Sequence, residues 1–424
     1  MSSIDQTTQA IAPSLNQNQA NISQQIIKAE VIVVGAGPAG LMAAYLLARQ
    51  GRQVVLLEKH SDFLRDFRGD TIHPSTLDLI DQLGFLDEFL KISHTRAEKL
   101  NAEINGKDIT IADFSKLSTK CKFIAFMPQW EFLNFLCDKA KQFDNFSIIM
   151  DCQSHKLLYE HDKVVGVEAT TSQGDIRVEA PLTIAADGRN SILRQQSGLD
   201  LEEFGVASNV LWMKLSHQKE DPPYTMGHGG PRQGFILIDR GDYWQCGFVI
   251  PKGSFEELKA KGLENFREEV ARFSPLPASR MDEITSWDNV HLLSIRINRL
   301  KQWWQPGLLF IGDAAHAMSP IGGVGVNLAI QDAVAATNIL NAPLRNKNVS
   351  TKDLAKVQKR RSFPTKATQR LQLMMQKSSQ KRNLDPEKKK APPSFMRYIA
   401  KWPPLAHFAG RIVGMGFRSE KIKF

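Results

Sequence analysis

The sequence predicts a mixed α/β fold, in which a helix-flanked parallel sheet is interrupted by a mainly antiparallel sheet and followed by C-terminal helices. Three observations carry this expectation. The β-branched run Glu30-Val31-Ile32-Val33-Val34 enters a glycine turn, a helical stretch follows, and Val54-Val55-Leu56-Leu57-Glu58 adds a second apolar run, completing a β-α-β unit. Leu182-Thr183-Ile184-Ala185-Ala186 and Leu308-Leu309-Phe310-Ile311 repeat the pattern of a buried strand that stops at a Gly and Asp pair. Between them, residues 205–300 change to alternating strands punctuated by Gly and Pro, such as Phe235-Ile236-Leu237-Ile238 and Tyr243 to Ile250.

These shifts divide the 424 residues into two or three packed units. Residues 1–28, rich in Gln, Asn, Ser and Thr, read as a flexible N-terminal tail that lacks the basic and apolar regions of a signal peptide. Residues 29–204 are the first part of a nucleotide-binding domain, 205–300 a β-rich substrate domain, 301–345 the return segment of the first domain, and 346–424 a basic helical region. Within the first part, helices are expected over Pro74–Leu90 and Gln129–Phe143, and a hairpin turn at Ser172-Gln173-Gly174-Asp175.

Composition narrows the function. The hydrophobic fraction of 42% is ordinary for a globular protein, and no uninterrupted apolar stretch reaches the roughly 18 residues of a membrane-spanning helix. Cys121, Cys137, Cys152 and Cys246 form no CxxC pair and no metal-ligand spacing, so they read as reduced core thiols of a cytoplasmic protein without a metal site. The net charge of +9 is crowded into the last quarter, from Lys352 through Lys359-Arg360-Arg361 to Lys388-Lys389-Lys390. A solvated helix surface and peripheral docking on an anionic inner membrane are both open readings of that region. No nucleic-acid partner is expected, because no aromatic-interleaved basic module or helix-turn-helix accompanies the charge.

Gly35, Gly37 and Gly40, with Ala36, Pro38 and Ala39 between them, give GxGxxG between a strand and a helix, the context in which the pattern has a mechanism. The first glycine permits the tight turn, the second admits a pyrophosphate to the backbone, and the third lets helix and strand pack closely. The phosphates are then expected at the helix N-terminus. Glu58 ends the second strand, placed to accept hydrogen bonds from an adenosine ribose, and Lys59 follows it. This fingerprint predicts a Rossmann-like domain and does not choose between NAD and FAD.

Two later segments do choose. Ala185-Ala186-Asp187-Gly188-Arg189-Asn190-Ser191, and Gly312-Asp313-Ala314-Ala315-His316 through Pro320-Ile321-Gly322-Gly323-Val324-Gly325-Val326-Asn327, resemble the remaining signatures of the group A flavoprotein monooxygenases, the para-hydroxybenzoate hydroxylase family. Arg68-Gly69, His73-Pro74-Ser75-Thr76-Leu77 and the ending Gly414-Met415-Gly416-Phe417-Arg418-Ser419-Glu420 are also similar to that family, so the resemblance spans roughly residues 29 to 424. It implies an FAD-binding domain with an inserted substrate domain. Asp313 is then expected on the ribityl hydroxyls, and the loop of Pro320, Gly323 and Gly325, with Val326 and Asn327, at the flavin's pyrimidine end. Asp187 and Gly188 are expected to support the pyrophosphate, and Arg68 and Gln129 to reach the cofactor.

The resemblance further implies that NADPH or NADH binds transiently and that O2 is activated as a flavin C4a-hydroperoxide, which hydroxylates an aromatic or lipophilic small molecule. The substrate is expected between Met318-Ser319-Pro320 and a sheet face carrying Trp212, Phe235, Gln245 and Phe248 or their neighbours. No side chain is assigned as a general base. An FAD-dependent reductase of polyprenyl substrates remains an alternative, with a flavin sensor behind it. A halogenase is less favoured, because Cys246-Gly247-Phe248-Val249-Ile250-Pro251 lacks the tryptophans of that family's motif.

Overall fold

The computed structural model describes residues 25–64, 71–104, 107–221, 226–229, 234–384, 398 and 402–423. Arg68, the first 24 residues and the Asp385–Pro393 connector lie outside the described residues.

The β-branched runs become the centre of a six-stranded sheet in the order Trp304–Gln305, Leu308–Phe310, Leu182–Ala185, Val31–Val34, Val54–Leu57, Phe146–Ile149. All pairs are parallel except the first. Every residue of Val31–Val34, Val54–Leu57 and Leu182–Ala185 is buried, as expected of parallel strands covered on both faces. One cover is the helix Pro38–Arg49, which buries all residues from Ala39 to Ala48. It ends where Gly51 takes the left-handed conformation at φ +77 and where Asn145 Nδ2 satisfies the Ala48 carbonyl at 2.8 Å. The helix Gly325–Arg345 packs beside it.

The other cover is a four-stranded sheet, Gln25–Lys28, Gly174–Glu179, Lys163–Thr171 and Cys152–Glu160, which contains the expected hairpin. Gln25–Lys28 pairs in parallel with Gly174–Glu179, so this end of the segment read as a tail is a strand. The helix expected over Pro74–Leu90 is two helices, Pro74–Gln82 and Leu86–Phe89, because Gly84 sits between them at φ +82. All four cysteines are free and buried, and no helix among the described residues is long and apolar enough to cross a membrane.

The substrate-side sheet has seven strands in the order His291–Leu293, Ser208–Ser216, Tyr243–Pro251, Gly234–Asp239, Met226–Gly229, Lys99–Ile104, Lys107–Asp113. Its last two strands come from the segment read as nucleotide-binding, and Lys99–Ile104 joins it in parallel with Met226–Gly229. Strand alternation splits the sheet into two faces. Leu211, Met213, Phe235, Leu237, Cys246 and Phe248 pack outward under the helices Phe255–Ala260 and Leu263–Ala271. Val210, Trp212, Ile236, Ile238 and Val249 pack inward against Phe126, Leu373, Val413 and their neighbours.

Candidate active site

The nucleotide turn is as tight as its glycines suggest. Gly35 has φ +95, and a Cβ there would lie 2.6 Å from the Ala186 carbonyl oxygen, at the end of the adjoining strand. A Cβ on Gly40 would lie 1.9 Å from the Gly35 oxygen, whereas one on Gly37 would meet nothing within 4 Å. Gly40 is therefore required by packing, and Gly37 faces open space at the helix start. Gly40→Ala should destabilise the fold by about 1–3 kcal/mol as the turn shifts. Gly37→Ala should keep wild-type stability without cofactor and still lose FAD affinity. Apo-protein urea midpoints and FAD titrations separate the two, and equal stability losses would contradict this reading.

Glu58 is buried and its Oε2 accepts the Ala36 amide at 2.8 Å, while Oε1 accepts the His60 amide at 3.2 Å. The carboxylate is thus fixed beneath the glycine loop with lone pairs left for hydroxyl donors. Lys59 beside it is exposed. At the next strand end, Gly188 turns at φ +84 and Asp187 Oδ2 accepts the Leu193 amide at 3.4 Å. Asp187 Oδ1 is buried without a partner, and burial pushes this carboxyl above the ordinary carboxylate range.

Gly312, at φ +58, brings the third strand end against both covering helices: a Cβ there would lie 3.0 Å from Ala39 Cβ and 3.2 Å from Ala329 Cβ. Asp313 therefore emerges beside the start of the nucleotide helix, half-exposed, with Arg189 Nη2 at 3.6 Å from its Oδ2. The helices Pro38–Arg49 and Gly325–Arg345 begin nearby, behind Gly37 and Val324, and neither has a side-chain cap. Their first-turn amides are left for an outside acceptor, and their positive ends favour an anion.

The loop before the second helix turns at Gly322 (φ +79) and Gly323 (φ +63), and Thr71 Oγ1 donates to the Gly323 carbonyl at 2.9 Å. Asn327 joins this loop to the neighbouring segment. Its Oδ1 accepts the His73 amide at 2.9 Å and the Thr76 hydroxyl at 2.6 Å, and its Nδ2 donates to the Thr71 and Gly323 carbonyls. Its carboxamide is thus engaged in holding the loop. Pro320, Gly323, Gly325 and Val326 are half-buried on the same loop, and Gln129 is half-buried at the start of the helix Gln129–Ala140.

His73, fully buried behind the loop, was read only as part of a resembling segment. Its Nδ1 lies 2.8 Å from the Val413 carbonyl and must carry the hydrogen, since a carbonyl only accepts; Nε2 has no partner. Burial, opposed by the backbone hydrogen bonds, pushes its pKa down to about 4. The unfolded chain, with an ordinary value of 6.5, then binds the extra proton. Stability is full above pH 6.5 and falls as pH drops toward 4, by about 3 kcal/mol if no other group compensates. In His73→Gln that part of the pH slope should vanish from urea midpoints, and an unchanged slope would contradict the assignment.

A buried ion-pair cluster fixes the third strand end from behind. Asp332 Oδ2 accepts the Gly312 amide at 3.1 Å and lies 2.6 Å from His316 Nε2, while Oδ1 accepts Arg361 Nε at 2.8 Å. Arg361 reaches on to the Arg418 carbonyl at 3.0 Å and to Glu420 at 3.1 Å. Burial opposes ionisation of Asp332, but His316 and Arg361 outweigh it and hold its carboxyl below the usual range. Sequence reasoning missed Asp332 and Arg361. An acid inside the apolar run Ala329-Ile330-Gln331-Asp332-Ala333-Val334 was the available signal, since such a charge needs a partner.

On the seven-stranded sheet, Trp212 and Gln245 lie on the inward face. Trp212 Nε1 is buried without a partner, and its ring covers Gly247, where a Cβ would lie 2.9 Å from it. Gln245 Oε1 accepts Arg240 Nη2 at 2.6 Å. Phe235 and Phe248 are corrected: both are fully buried on the outward face, where Phe248 meets Phe266 edge-on at 6.1 Å. Odd and even positions of one strand cannot share a face, so they do not line the same surface as Trp212 and Gln245.

Three glycine-turned strand ends, two uncapped helix starts and two placed carboxylates fit a dinucleotide-binding fold. The chain belongs to the FAD binding domain family, whose model matches residues 28–371. It is 30% identical, over 81% of this chain and 83% of the relative, to 6-methylpretetramide 4-monooxygenase of Streptomyces rimosus. It is 25% identical, over 76% and 80%, to para-nitrophenol 4-monooxygenase of a Pseudomonas strain. The crystal structure of a probable FAD-dependent monooxygenase from Pseudomonas aeruginosa shares the fold with a TM-score of 0.71 at 22% identity, covering 84% of this chain and 97% of that one. The chain is an FAD-dependent oxidoreductase of the monooxygenase type, with NAD(P)H as electron donor.

Proposed function

We propose that this protein hydroxylates an aromatic, largely apolar small molecule held between the 320–325 glycine loop and the Trp212 face of the seven-stranded sheet. The observation that carries this reading is the inward face itself: a largely apolar surface carrying Trp212 and Gln245, against which Phe126 and the C-terminal Leu373 and Val413 pack. The names of the relatives, which act on a pretetramide and on para-nitrophenol, support an aromatic substrate.

Bound FAD would supply the redox chemistry, hydride acceptance from NAD(P)H and activation of dioxygen for transfer of one oxygen atom. The chain's residues have simpler tasks. Glu58 and Asp313 would accept hydrogen bonds from the ribose and ribityl hydroxyls, and the first-turn amides of Pro38–Arg49 would donate to the pyrophosphate oxygens. The glycine loop and the first turn of Gly325–Arg345 offer positive ends to the anionic side of a reduced flavin ring. Trp212 and its apolar neighbours exclude water from the reacting face.

The test supplies purified protein with FAD, NAD(P)H and a panel of phenols and polycyclic aromatics under isotopically labelled dioxygen. One labelled oxygen atom in a product, with faster NAD(P)H consumption, is the expected result. Reduction of a substrate double bond without label would support the reductase reading instead.

A further inference from the structure

The helix Thr351–Leu384 buries Leu354 and Val357 at its start in the core, and further along its inward side is polar. Gln369 Nε2 donates to the Asn298 and Ala317 carbonyls at 2.8 Å each, and Gln372 Nε2 donates to the Ser319 and Ile321 carbonyls at 2.9 and 3.0 Å. Arg361 and Thr365 are fully buried on the same side. These contacts hold the loop that leads into the glycine turn.

Between residues 351 and 377 the exposed positions are Lys352, Lys356, Lys359, Phe363, Lys366, Arg370, Leu371, Met374 and Lys377. They recur at helical spacing, so they form one stripe. Every one is a cation or a large apolar side chain. Phe363 is 58% exposed and Met374 60%. The helix's one acid, Asp353, is already paired with Lys356 at 2.8 Å. Lys359, Phe363, Lys366 and Arg370 also line an open groove along the helix. Residues 351–424 hold nineteen Lys and Arg against four Asp and Glu, while the preceding 350 residues carry a net charge of minus six. The net positive charge therefore belongs to the C-terminal segment of the sequence.

We propose that this stripe docks the protein on the surface of a bilayer containing anionic lipid. Cations interleaved with Phe, Leu and Met match phosphate headgroups above acyl chains, the chemistry of interfacial helices. A second copy of the chain fits poorly, because a two-fold contact would set cation against cation. Nucleic acid fits less well, because contacts to phosphates would leave the exposed Phe363, Leu371 and Met374 without an apolar partner. Docked in this way, the helix would hold the 317–321 loop about one helix diameter, roughly 10 Å, from the headgroups.

The experiment is co-sedimentation of full-length, FAD-loaded protein with phosphatidylcholine vesicles, with and without phosphatidylglycerol. Binding only to the anionic vesicles, weakened by salt, is expected. The variant Lys359→Gln/Lys366→Gln/Arg370→Gln should bind on the order of a hundredfold more weakly, at about fivefold for each cation. Its flavin spectrum should be unchanged, because none of the three side chains belongs to the flavin site. Wild-type protein that ignores anionic vesicles at low salt overturns the proposal, as does equal binding by the variant. So does retention on duplex RNA, or a mass change to a dimer, in protein that leaves the vesicles untouched.

Discussion

Asp332→Ala is expected to lose about 3–5 kcal/mol of stability and, with it, tight FAD binding. The carboxylate neutralises Arg361 where neither side chain has any solvent exposure, and it also holds the Gly312 amide and His316. Removing it leaves the buried guanidinium with only Glu420 to neutralise it among the described residues and releases the strand end that aims Asp313. Urea denaturation of the apo-protein reads the first effect and FAD titration the second. Because the two partners act as a unit, Arg361→Met in the same chain should add much less than it costs alone. Additive losses, or an Asp332→Ala protein of wild-type stability, would show that the cluster is not a support.

Asp313→Ala is expected to do the reverse, sparing the fold and removing the cofactor. Asp313 is half-exposed, and Arg189 at 3.6 Å is its ion-pair partner. Losing that surface-accessible pair should change apo-protein stability by less than about 1 kcal/mol. Losing a charged acceptor for the ribityl hydroxyls should cost about 3 kcal/mol of FAD binding, on the order of a hundredfold in Kd. A purified Asp313→Ala protein that retains full FAD occupancy would sink the assignment.

The contrast between these two aspartates shows where sequence reasoning reached and where it stopped. Asp313 was legible because a local pattern, a buried strand followed by Gly-Asp, already fixes where the side chain emerges. The nucleotide turn was legible for the same reason: strand, glycines and helix are contiguous. Asp332 was not, because its partners Arg361 and Glu420 lie far along the chain and meet it only after the C-terminal segment has folded back. The place of the Lys99–Ile104 and Lys107–Asp113 hairpin in the seven-stranded sheet has a similar cause, since the parallel pairing of Lys99–Ile104 with Met226–Gly229 spans more than a hundred residues and leaves no local mark. The face assignment failed at Phe235 and Phe248 for a different reason. Both faces of the seven-stranded sheet are buried, one under helices and one toward the flavin-binding half, so hydrophobicity alone cannot say which is which.

The most direct measurement is the visible spectrum of the purified protein, taken with added FAD, after anaerobic NADPH or NADH, and again after air is admitted. A bound flavin spectrum that bleaches with the nicotinamide and returns with oxygen is the predicted result. A colourless protein that takes up no FAD would contradict the account at its centre, because the glycine-turned strand ends and uncapped helix starts would then have no flavin to hold.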